Sequence, residues 1–143
     1  MWRNYEMSYS VKSLEPLVRF PTTNILQEYF VPVKELIPFI NTLRAVIETY
    51  GVNMLNVSIR YVPADAESVL NYAPHDSFAL VCYINVFRTP RQQYEIKWTQ
   101  ELIECALDRG GTFYLPYHLY ATPEQFKRAY PRFQEFLSIK KKY

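Results

Sequence analysis

At 143 residues the chain has the length of one domain, and its 49% apolar content is enough for a substantial core. The formal net charge of +2 gives no basis for a nucleic-acid groove: the only basic run, Lys140 to Lys142, is a short terminal cluster with no aromatic stacking platform beside it. Cys82 and Cys105 lie far apart in apolar contexts and read as reduced thiols, and no run is apolar and long enough for a signal peptide or membrane span. A cytoplasmic protein is expected, with membrane association arising only through a further domain.

The first 23 residues combine weak periodicity with Pro16 and Pro21 and read as an extended lead-in. Asn24 to Val31 is predicted as a strand, with Gln27 and Tyr29 on one face and Leu26, Glu28 and Phe30 on the other. A helix follows from about Lys34. Leu36, Ile40, Leu43, Ile47 and Tyr50 supply its apolar stripe, Pro38 falls near its first turn, and Gly51 closes it. Met54 to Val62 is the cleanest strand, alternating Leu55, Val57, Ile59 and Tyr61 with Asn56, Ser58 and Arg60.

Residues 63 to 76 read as a long connection. Ser77 to Phe87 is near-continuously apolar, as expected of a central strand. Pro90 opens a second helix with a buried stripe of Ile96, Thr99, Leu102, Ile103, Ala106 and Leu107, stopped by Gly110-Gly111. Thr112 to Leu115 is a short fourth strand. Thr122 is an N-cap with Pro123 at N1 and Gln125 at N3, and a final helix is expected from about Pro131 to Lys142. The order strand, helix, strand, strand, helix, strand points to an α+β fold of ferredoxin-like character: an antiparallel sheet with helices on one face, followed by two C-terminal helices.

The helix-free face of that sheet is where chemistry could collect. Gln27 and Tyr29 are expected to project to the same side as Ser58 and Arg60, joined by Tyr114 and Tyr117. An amide, a guanidinium, a hydroxyl and phenols in one place would suit an oxygen-rich ligand. The pattern equally describes an ordinary half-exposed sheet on which Arg60 and Glu28 face solvent and the tyrosines pack, and that arrangement is the commoner one. His75 and His118 have no partner at metal-ligand spacing, and Cys82 sits in an apolar strand where a thiol is inert. There is no phosphate-cradling glycine motif, since Gly110-Gly111 follows a helix instead of opening one.

Three segments carry a resemblance. They are Leu26-Gln27-Glu28-Tyr29-Phe30-Val31-Pro32, the run from Leu55 to Asp65, and the stretch from Gly110 to Tyr143 that includes Phe113-Tyr114-Leu115-Pro116-Tyr117-His118. In order and spacing, from about Asn24 to the end, they are similar to the C-terminal substrate (cap) domain of FAD-linked oxidoreductases of the vanillyl-alcohol-oxidase superfamily, of the D-arabinono-1,4-lactone oxidase type. The resemblance implies a sheet laid over a flavin ring, with FAD held by a separate FAD-binding domain and a sugar lactone or polyol as the small-molecule ligand. It implies a substrate role for Arg60, with Ser58 at a position where alditol oxidases carry an acid. Gln27 and Tyr114 match pocket-lining positions, and Tyr117 stands where many relatives carry a lysine near the flavin. His118 is turned away from the ring on this reading. The FAD-binding domain, and a segment beginning Asp-Pro after the last helix, are not in this sequence. The expectation is therefore a cap-domain fragment inactive by itself, without FAD of its own. The alternative is a ferredoxin-like interaction module forming a homo-oligomer through its exposed sheet face.

Overall fold

Strand β1, Thr22–Pro32, is an interior strand, hydrogen-bonded along both of its edges. A computed structural model describes residues 22–87 and 92–143. The lead-in therefore falls outside the described residues except for Thr22 and Thr23, which already pair with Phe87 and Val86. Pro90 lies outside them as well.

After β1 comes a single 3-10 turn, Val33–Glu35, and then helix α1, Leu36–Tyr50. The regular helix starts two residues later than the apolar spacing suggests. Pro38 provides no amide hydrogen and is accommodated in the first turn. Gly51 closes α1 in the left-handed region at φ 60°, donating its N–H to the Ile47 carbonyl. Strand β2, Asn53–Val62, forms one sheet edge, and β3, Ser77–Phe87, runs between β2 and β1. Helix α2, Gln92–Asp108, leads to β4, Thr112–Phe113, at the other edge. Helices α3, Pro123–Ala129, and α4, Phe133–Lys142, follow.

The four strands are ordered β2-β3-β1-β4 with every pairing antiparallel, which is the ferredoxin-like arrangement. The core sits between the sheet and α1 and α2. Phe39, Leu43 and Val46 of α1 and Trp98, Leu102, Ile103 and Ala106 of α2 pack on Ile25, Tyr29, Val31, Leu80, Cys82 and Ile84. The α1 stripe is thus centred one residue away from the predicted one: Phe39 and Val46 are buried, and Ile40 and Ile47 flank them. Glu95 and Trp98, absent from the predicted stripe of α2, are also buried.

The short helix α3 is fixed to α2 by polar contacts. Thr122 caps it in a reciprocal capping box with Gln125, as its sequence indicates. The Gln125 amide donates to the Gln100 carbonyl and to Glu104, and Arg128 bridges Glu104 and Asp108. None of the residues of α4 is buried. Among the described residues no helix is long and apolar enough to cross a membrane.

Strand β4 is shorter than predicted, although Tyr114 extends it by donating its N–H to the Glu28 carbonyl at 2.9 Å. Gly111 permits this approach, because a Cβ there would run into the Phe30 backbone carbonyl. In β2 the pairing slips between Met54 and Asn56, which puts Leu55 at a bulge, and the expected apolar row stays largely exposed on this edge strand, Ile59 and Tyr61 as well as Leu55.

Candidate functional site

The pleat divides β1 into two rows with different fates. Tyr29 faces the helices, its ring 5.6 Å from that of Phe39. Alternation places Gln27 on that same side and Glu28 and Phe30 on the helix-free face. Arg60 is on the helix-free face too, because Ala79 stands opposite both Arg60 and Phe30. This corrects the expected grouping. Gln27 and Tyr29 project away from Ser58 and Arg60, toward the core, and Gln27 is only 4% exposed. The grouping fails because facing depends on register between strands, which alternation within each strand leaves undetermined.

What meets Arg60 is Glu28. Its carboxylate lies 2.7 Å from Nη2 of Arg60, with side-chain exposures of 4% for Glu28 and 48% for Arg60. The two residues belong to strands that are not neighbours. Ala79 of the intervening β3 presents only a methyl group, so the long arginine can lie across it. The Tyr117 hydroxyl donates a second hydrogen bond to Glu28. Burial first, and then the negative charge of Glu28, push the Tyr117 phenol above its ordinary range, while Arg60 pulls the other way. Tyr117 is consequently a neutral hydrogen-bond donor at physiological pH.

Aromatic rings build the wall around this pair. Phe30 lies 4.7 Å from Tyr72, Tyr72 lies 5.5 Å from Tyr114 at 89°, and Tyr114 lies 5.1 Å from Tyr117. Tyr72 comes from the long connection, which is pinned at several points. Its own carbonyl accepts from the Thr112 hydroxyl, the Asp65 N–H donates to the Ala73 carbonyl, and the Ala64 N–H donates to the Asp76 carboxylate. The Arg60–Glu28 pair, Phe30, Tyr72, Tyr114 and Tyr117 line a cavity of about 400 Å³, together with residues 61–63, within the ~300–1,000 Å³ of small-molecule sites.

Of the residues expected to form a site, Arg60, Tyr114 and Tyr117 converge here. Ser58 is exposed on the same face, opposite Val81, but does not line the cavity. Gln27 is on the other face. Glu28, Phe30 and Tyr72 complete the site and were not anticipated. Glu28 had a legible signal: an acid in a strand flanked by apolar residues becomes buried if the strand is interior, and a buried acid needs a partner. Tyr72 had none, since nothing in a 14-residue connection indicates where it folds back.

Elsewhere the chemistry is sparse. A larger cavity of about 590 Å³ lies between the connection and the turn from α3 to α4, lined by Asp65, Asn71, Arg128 and Arg132 among others. Its arginines are already engaged, Arg128 by Glu104 and Asp108 and Arg132 by Glu135. It therefore presents no free guanidinium to a ligand. Burial pushes the Cys82 thiol up to about 12, so it is no nucleophile. His118 stacks on Tyr120 at 5.2 Å, and His75 is exposed. Among the described residues no group of His, Cys, Asp and Glu is placed to hold a metal ion.

Gly110 takes a positive φ of 72° after α2, and Gly111 packs against the Phe30 carbonyl. Comparison with known proteins finds no matching family model and no matching curated relative.

Proposed function

We propose that this chain is the substrate-binding cap domain of an FAD-dependent oxidoreductase of the aldonolactone-oxidase type, acting on a sugar lactone or a polyol. The observation that carries this reading is the Arg60–Glu28 pair set among Phe30, Tyr72, Tyr114 and Tyr117 on the sheet face that α1 and α2 leave uncovered. Arg60 and Tyr117 supply donors and Glu28 an acceptor, Arg60 and Glu28 carried by strands of the sheet and Tyr117 by the segment after β4. The aromatic faces pack on C–H surfaces of a sugar-like ligand. On this reading FAD belongs to a separate FAD-binding domain, in the same or another chain, which lays the flavin ring over this face and supplies the hydride acceptor. The chain's own residues bind and orient the carbinol and exclude water. The domain then works in the cytoplasm, or at a membrane surface where its flavin partner is membrane-associated.

The test is a titration of isotope-labelled protein with D-arabinono-1,4-lactone and with pentitols, followed by amide chemical shifts. Movement of Arg60, Tyr114 and Tyr117 signals is expected, with loss of that movement in Arg60→Ala. Absence of any shift at tens of millimolar ligand would sink the reading.

A second reading, a non-enzymatic module that self-associates through its sheet, draws on the exposed Leu55, Ile59 and Tyr61 of edge strand β2. Light scattering distinguishes it. A monomer at high concentration is expected on the cap-domain reading, and a dimer on this one.

A further inference from the structure

Among the residues lining the 400 Å³ cavity, Glu28 and Arg60 are the charged ones, so the lining carries no net charge. This is unusual for a site built around an arginine. A free guanidinium in a half-enclosed pocket attracts carboxylates and phosphates by bidentate hydrogen bonds. Here the guanidinium is answered in advance by an acid that is itself almost completely buried. An anionic ligand entering would meet Glu28 behind Arg60.

Fold stability is a weak explanation for the pair. Buried ion pairs give little net stabilisation compared with apolar residues of similar volume, and the flanking Phe30, Ala79 and Val81 show that this face accepts apolar groups. Arg60 also keeps about half of its side chain exposed, with donors beyond the one used on Glu28.

We propose that Glu28 is the specificity-determining residue of this site: by neutralising Arg60 from within the sheet, it makes the pocket accept uncharged polyhydroxylated molecules and reject their carboxylate forms. This rests on the cap-domain reading and deepens it. The lactone is taken and its ring-opened acid is turned away, although both share one carbon skeleton and nearly the same hydroxyls. Glu28 accepts from a ligand hydroxyl, Arg60 donates to a ring or carbonyl oxygen, and Tyr117 keeps the Glu28 carboxylate in place.

The experiment compares D-arabinono-1,4-lactone with sodium D-arabinonate on the wild-type protein and on Glu28→Gln, reading dissociation constants from amide shifts. The wild type is expected to favour the lactone by at least about tenfold, since like-charge juxtaposition is costly at close range. Glu28→Gln, which keeps the side-chain shape and frees Arg60, is expected to gain at least about tenfold in arabinonate affinity and to reverse the preference. If the wild type takes both ligands equally, the specificity role of Glu28 is overturned while the cap-domain reading stands. A folded Glu28→Gln that still rejects arabinonate overturns it too. If the wild type binds neither, both readings fall. The wild-type comparison needs no variant and decides the matter even where Glu28→Gln fails to fold.

Discussion

Gln27 and Glu28 are consecutive residues of one strand, equally buried, and they illustrate opposite uses of burial. On the helix side, Nε2 of Gln27 and the hydroxyls of Tyr29 and Thr99 find no hydrogen-bond partner among the described residues. They are enclosed by apolar packing against α1 and α2, which tolerates a few unsatisfied polar atoms because the surrounding contacts outweigh their cost. On the open side, Glu28 is paired to Arg60 and Tyr117, groups brought from β2 and from the segment after β4. A buried polar atom alone does not mark a site. Convergence of partners from separate elements onto one cavity does.

The sharpest way to break this division is to weaken each face and compare. Phe39→Ala on the helix side should cost about 3–5 kcal/mol in urea unfolding, whereas Ser58→Ala on the open side should stay within about 0.5 kcal/mol. Comparable losses at both positions would show that the two faces share one core.

A smaller effect tests whether the open-side pair acts as a unit. Arg60→Met should destabilise by about 1–3 kcal/mol because Glu28 is left buried without its cation, and adding Glu28→Gln should recover most of that loss. Strict additivity in this double-mutant cycle would mean that the two side chains are merely adjacent.

The smallest effect concerns Glu95, an acid on the buried stripe of α2 and so a helix-side counterpart of Glu28. Burial pushes its carboxyl above the usual range. Because the folded-state value is raised, its contribution is most favourable below the unfolded value of about 4.3 and is lost as pH rises through the folded value. Glu95→Gln should therefore raise the melting temperature at pH 7, with the gain over wild type shrinking toward pH 4. A gain independent of pH would assign the effect to packing instead of charge.

The sequence by itself determined the element order, most boundaries and the sheet's antiparallel α+β character, because these follow from short-range causes. Alternation marks β2, a continuous apolar run marks β3, Gly51 ends α1, and the Thr122–Gln125 box starts α3 with no help from distant residues. Position along the expected sheet face, together with the family resemblance, also singled out Arg60, Tyr114 and Tyr117. Only the tertiary structure decided which side of the sheet each β1 residue serves, moving Gln27 into the core and Glu28 into the site. The physical reason is that a strand's period of two fixes alternation but not phase, and phase is set by cross-strand register and by which face the helices cover. The same holds for Tyr72 and Ala79. One is delivered by a long connection pinned to β4, and the other is small enough to let an arginine from β2 lie across β3 to reach an acid on β1.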